Sequence, residues 1–195
     1  MSQPALLTLL LAGVPQPVLT RTTACLAAVL VLTASAKLSL PFWPVPMTLQ
    51  SLAVVVIGLL YGARLGGAAV LLYLALGAAG LAVFAGRMAG PAVYTGPTAG
   101  YLAGFLVAAP VMGYMAEAGW ARSMARAAAA ALIGHAIILA LGAAWLATRF
   151  GLARSVAIGL TPFLPGALAK TAAAALLVRA AWRWLGPAGR PAPPA

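Results

Sequence analysis

Acidic residues are nearly missing from this chain: one glutamate, Glu117, and no aspartate, against twelve lysines and arginines in 195 residues. That shortage removes whole classes of chemistry. There is no acid to hold a nucleotide's magnesium, no carboxylate pair for hydrolysis, and no Asp/Glu relay to carry protons through a membrane. Cysteine and histidine are equally scarce. Cys25 and His135 stand alone in their types, which excludes a conventional zinc or iron–sulfur centre. A single thiol says nothing about disulfides, and Cys25, set in an apolar run, reads as a small packing residue. Without a nucleophile–base pair the chain is not read as an enzyme, and no cofactor is called for.

Charge of either sign is also sparse. Charged residues make up 7% of the sequence and hydrophobic ones 64%, where soluble domains carry roughly 25% charge. With a mean hydropathy of +1.05, the chain reads as an integral membrane protein. At about 20 residues per spanning helix, its length allows six helices and no soluble domain. The expected fold is therefore all-α, an integral membrane six-helix bundle occupying residues 19–185. Residues 1–18 hold an apolar run too short to span and without a basic start, which speaks against a signal peptide and for an interfacial segment. The proline-rich tail 186–195 reads as disordered.

The basic residues are scattered singly or in pairs, so they read as topology signals and lipid headgroup contacts rather than as a nucleic-acid surface. Counted on alternate sides of six helices, Arg21, Arg64, Arg122, Arg126, Arg179, Arg183 and Arg190 face Lys37, Arg87, Arg149, Arg154 and Lys170. The larger group marks the cytoplasmic side, so both termini are expected inside. Arg87 and Lys170 then share the outer face, where no acid can pair with them.

Helices are expected over residues 19–36, 48–61, 65–81, 98–117, 127–147 and 166–184. The stretch 80–105 departs from that regularity. It is apolar, yet glycine and proline interrupt it (GLAVFAGRMAGPAVYTGPTAGYLAGF), and irregular backbone at membrane depth survives only where it lines a cavity or is buried in protein. Residues 82–97 therefore read as a pocket wall. Gly96, Gly100 and Gly104 form a ridge without side chains that lets a neighbouring helix approach closely. In 161–170, TPFLPGALAK, Pro162 and Pro165 break the chain and Lys170 falls on the first turn or so of the last helix. A cation beside an apolar pocket costs free energy unless an anion meets it. Lys170 and Arg87 thus point to a ligand carboxylate, with snorkelling to headgroups as the plain alternative. Phe84, Tyr94, Tyr101 and Phe163 are of a kind to sandwich a small ring, or simply to pack. His135, mid-helix, is either a satisfied structural polar group or a pocket residue. Thr48 and Gln50 read as capping residues or pocket lining. Ala24 and Ala28, four apart, have the spacing that lets two membrane helices dock.

Four runs, PVPMTLQ (44–50), GLAVFAG (80–86), GPTAGYLAGF (96–105) and PFLPGALAK (162–170), together resemble the BioY family, the biotin-binding substrate (S) components of energy-coupling factor (ECF) transporters. The resemblance covers about residues 19–185. It implies an ECF S-component-like fold in a bacterial-type plasma (inner) membrane, multi-pass, with a biotin pocket open to the exterior. That pocket would take Phe84, Gly86, Arg87, Tyr94, Gly96, Thr98 and Tyr101 from one wall. Phe163, Gly166, Ala167 and Lys170 would come from the other, and His135 from the fifth helix. Lys170 falls on the family's site lysine and would pair with the biotin carboxylate. Ala24 and Ala28 fall on the motif that contacts an ECF transmembrane subunit, which works with ATPase subunits; this chain has no nucleotide-binding loop of its own. Departures from the family pattern are Ala167 in place of an aspartate that bonds the ureido ring, Ala82 in place of a proline, and His135 in place of a glutamate. Losing a charged acceptor weakens recognition by roughly 1.5–3 kcal/mol. Either His135, Thr161 or Gln50 substitutes, or the ligand is a related small carboxylate, a biotin precursor or analogue. The remaining alternative is a stand-alone transporter or channel.

Overall fold

Long apolar runs dictate helices, and helices dominate the computed structural model, which describes residues 4–11 and 17–185. Residues 1–3 and 12–16 of the 1–18 segment and the whole 186–195 tail, Arg190 included, lie outside the described residues. A short helix α1 (Leu6–Leu11) packs on α3 (Gln50–Tyr61) and α8 (Leu164–Leu185), with Ala5 and Leu6 buried. The bundle proper consists of α2 (Pro17–Lys37), α3, α4 (Ala63–Ala78), α5 (Ala99–Glu117), α6 (Met124–Phe150) and a last helical run, Leu152–Leu185. A two-stranded hairpin, β1 (Ser39–Leu40) with β2 (Met47–Thr48), joins α2 to α3.

Four of these helical stretches are long and apolar enough to cross a membrane: Val18–Lys37, Ala99–Glu117, Met124–Phe150 and Leu152–Leu185. Helices α3 and α4, of 12 and 16 residues, span only about 18 and 24 Å at 1.5 Å per residue, short of a hydrocarbon core of about 30 Å. Helix α4 stops before the 65–81 run does, at Ala78, and Gly80 turns the chain with φ +99°. What the two short helices leave uncovered is filled by the hairpin and by residues 79–98, irregular but for a 3₁₀ turn at Pro91–Thr95, at one end of the bundle. We call it the hairpin end.

The last helix differs from expectation. It begins well before Gly166. The short helix α7 (Leu152–Ser155) leads through a π turn (Val156–Leu160) and a 3₁₀ turn (Thr161–Phe163) directly into α8. Pro162 and Pro165 sit at the start of helical turns, where the missing N–H would have no partner anyway, so they initiate rather than break. Lys170 consequently lies in the second turn of α8, inside a continuous helical run, and not at its first turn near the surface.

The helices approach closely where side chains are missing. An added Cβ on Gly100 would stand 2.3 Å from the Trp145 Cβ, one on Gly104 2.8 Å from the Ile138 Cα, and one on Gly113 2.1 Å from the Ala63 backbone nitrogen. The ridge is therefore real for Gly100 and Gly104, which seat α5 on α6. Gly96 precedes the helix and instead accepts, through its carbonyl, a 2.8 Å hydrogen bond from Trp145 Nε1. At the end opposite the hairpin, the one acid is already engaged: Glu117 Oε1 accepts from the Ala63 amide at 2.9 Å, capping the positive end of α4.

Candidate functional site

At the hairpin end the helices enclose a cavity of about 680 Å³, open mouth included. Its walls follow helical arithmetic. Thr98, Tyr101, Leu102 and Phe105 form an i, i+3, i+4, i+7 stripe on α5. His135, Ile138 and Leu139 repeat the pattern on α6, as do Phe163, Ala167 and Lys170 across the start of α8. The irregular segments complete it, with Val45, Pro46 and Thr48 from the hairpin, Gln50 and Ser51 from α3, and Phe84, Ala85, Met88 and Val93 from 79–98.

Lys170 projects from α8 toward the hairpin, where its ammonium donates to the Thr48 carbonyl at 2.6 Å and to Ser51 Oγ at 3.2 Å. An ammonium has three donors, so one N–H remains for a ligand. The sequence contains one acid, and Glu117 is held by Ala63, so no carboxylate side chain balances this charge. From Thr48 a polar chain runs on: Thr48 Oγ1 donates to Gln50 Oε1 (3.0 Å), Gln50 Nε2 to Tyr73 Oη (2.7 Å), and Tyr73 Oη to the Val83 carbonyl (3.0 Å).

His135 is 2% exposed and its Nδ1 lies 2.9 Å from the Ala131 carbonyl and 3.1 Å from Thr171 Oγ1. A carbonyl oxygen only accepts, so in the neutral ring the proton sits on Nδ1 and Nε2 carries a lone pair. Nε2 is buried with no hydrogen-bond partner among the described residues, on a residue that lines the cavity. In this tautomer Nε2 can only accept a hydrogen bond.

The aromatic walls are fixed by their own neighbours. Phe84 meets Tyr73 edge-on at 5.3 Å, Tyr101 lies 5.9 Å from Phe163, and Tyr101 Oη donates to the Gly159 carbonyl at 2.5 Å.

The structure thus brings together Lys170, Phe84, Thr98, Tyr101, His135, Phe163 and Ala167 from the residues expected by sequence, along with Thr48 and Gln50. Five others do not line the cavity. Arg87 is exposed. Its neighbour Gly86 (φ +61°) turns the chain so that Arg87 leaves the wall. Tyr94 instead ties the loop to α4 by a 2.6 Å bond to the Leu74 carbonyl, and Gly96 is occupied with Trp145. Gly166 gives room to Met47, whose Sδ would stand 3.2 Å from a Cβ added there. Thr161, considered as a substitute acceptor, is exposed and bonds Val156 within its own turn. Sequence reading missed Val45, Pro46, Ser51, Leu102, Phe105, Ile138 and Leu139, the last four one helical step from a residue it had found. On α2, Ala28 has no exposed surface, and the half-buried Ala24 has its carbonyl 3.3 Å from Tyr61 Oη. Ala28 packs inside the bundle, and the exposed flank is Leu26, Leu30 and Val31.

A model of the BioY family matches residues 10–187. The chain belongs to the BioY family. Among its relatives, the biotin transporter BioY of Rhizobium etli is 41% identical over 167 residues, covering 81% of this chain and 89% of that one. The biotin transporter BioY of Thermotoga maritima is 39% identical, covering 73% and 83% respectively. A crystal structure of the S-component for biotin from an ECF-type ABC transporter superposes with a TM-score of 0.72 at 24% identity, over 83% of this chain and 90% of that one. Family membership and the apolar helices make this a multi-pass membrane protein, a transporter component and not an enzyme.

Proposed function

We propose that this BioY-family chain is the membrane subunit that captures biotin for import. The single observation carrying this reading is the Lys170 ammonium, held by Thr48 and Ser51 at the wall of an aromatic cavity in a chain whose one acid is committed elsewhere. A monocarboxylate neutralises it. Phe84, Tyr101 and Phe163 flank the ring system, and His135 Nε2 accepts from a ureido N–H, the partner role Ala167 cannot play. The pocket opens outward in a bacterial-type plasma (inner) membrane with both termini cytoplasmic, as the basic-residue asymmetry supports. Lacking a nucleotide-binding loop, the chain works with an ECF transmembrane subunit and ATPases, and the partner seats on the α2 flank of Ala24, Leu26, Leu30 and Val31.

Equilibrium binding of radiolabelled biotin to purified protein tests this. Biotin is expected to compete with the label about 10- to 100-fold better than its uncharged primary amide, the range of a charge-assisted hydrogen bond. Equal competition by the two would reject the carboxylate assignment. The absence of an aspartate at Ala167 favours a second reading, a related carboxylate lacking the ring N–H. His135→Phe separates the two, since it weakens biotin binding about tenfold if Nε2 accepts from the ligand and leaves a ligand without N–H groups unaffected.

A further inference from the structure

Lys37, the last residue of α2, stands outside the cavity, yet its ammonium donates to three carbonyls of the opposite loop: Ala82 at 2.7 Å, Phe84 at 2.8 Å and Gly86 at 2.8 Å. These use all three of its donors. The chain bends at Phe84 and Ala85 and turns at Gly86, φ +61°, so that the three carbonyls converge on one cation. The intervening carbonyl, of Val83, faces away and takes the Tyr73 hydroxyl. Four of five successive carbonyls in 82–86 are therefore held by side chains from α2 and α4. This segment supplies Phe84 and Ala85 to the cavity wall, with Met88 just beyond.

We propose that Lys37 is a positioning residue that latches segment 82–86 across the pocket and thereby sets how fast a bound ligand escapes. The inference rests on the pocket being the ligand site. A compact ammonium suits three convergent carbonyls and a planar guanidinium does not, so arginine is a poor substitute here. Because the latch sits on α2, where 28% of residues are buried against 61% for α5, it ties the wall to the least embedded of the four long spans. A force displacing α2 would pull on the wall directly.

The test compares wild type, Lys37→Met and Lys37→Arg by two readouts: hydrogen–deuterium exchange of the 82–88 amides without ligand, and the dissociation rate of radiolabelled biotin after a chase. Lys37→Met is expected to raise exchange in this segment and speed dissociation about tenfold, with the association rate changed much less. Lys37→Arg should fall between, and decides alone if Lys37→Met does not fold. A third protein, Lys37→Cys in a Cys25→Ala background, should regain slow dissociation when 2-bromoethylamine rebuilds an ammonium at that reach. A merely structural role would lower the yield of binding-competent protein and leave the dissociation rate of the remainder unchanged. Unaltered exchange and dissociation in the variants would overturn the latch. Wild type that binds no biotin, yet shows the exchange difference, would sink the ligand assignment while leaving the latch standing.

Discussion

Lys170→Glu is expected to lower biotin affinity by on the order of 1,000-fold or more, since it removes the paired cation and sets two like charges together in a wall of low polarity. The neutral change Lys170→Met loses only the charged hydrogen bond, about 10- to 100-fold. Both follow from the same geometry: the ammonium is anchored by Thr48 and Ser51 before any ligand arrives, so its position costs the ligand little ordering. Equilibrium binding, with melting temperature as the folding control, measures the two variants side by side. The order wild type, then methionine, then glutamate is the expected result. A glutamate variant binding like the methionine one would show that the carboxylate lies elsewhere.

Gly113→Ala is expected to destabilise the protein by about 3 kcal/mol, at the upper end for overpacking, although it adds one methyl group. The added Cβ would fall 2.1 Å from the Ala63 nitrogen and 2.3 Å from its Cα. Those are backbone atoms at the start of α4, pinned by Gly62 and by the Glu117 cap, so relief requires moving a helix. Thermal unfolding in detergent reads the effect. Gly67→Ala is the control on α4 itself, since a Cβ there meets Pro110 only at 3.7 Å; it should melt like wild type. A tolerated Gly113→Ala would mean that α4 and α5 slide freely.

Much of this architecture is legible in the sequence because hydropathy and glycine spacing act locally. The runs giving α2, α5 and α6 announce themselves, and the Gly100–Gly104 spacing forecasts the seat of α5 on α6. The Gly/Pro density of 82–97 identifies a cavity wall correctly, for irregular backbone at that depth has few other uses. Lys170 is legible as a cation in an apolar run with no acid to meet it, although the structure sets it inside a continuous helical run and not at a helix start. What escaped depends on side-chain direction. Arg87 and Tyr94 lie in the right loop, but Gly86 turns one outward and the Leu74 carbonyl captures the other. Lys37 reads as a helix-ending topology charge, because nothing in the sequence near it reveals carbonyls 45 to 49 residues away. The proline pair in 161–170 misled in the opposite sense, for proline at a helix start and proline as a breaker look alike until the preceding turn is seen.

The shortness of α4 has a consequence for the surrounding lipid. Helix α3 has no exposed residue, so of the two short helices only α4, exposing Ala68, Leu71 and Ala75, faces outward, and it falls about 6 Å short of a hydrocarbon core of about 30 Å. Acyl chains there must compress or splay, and water can dip below the headgroup plane. On the proposed reading, a carboxylate ligand reaches Lys170 from such a dent in the bilayer while it is still hydrated. Thicker membranes would deepen that dent, making acyl-chain length a determinant of how readily the subunit stays upright.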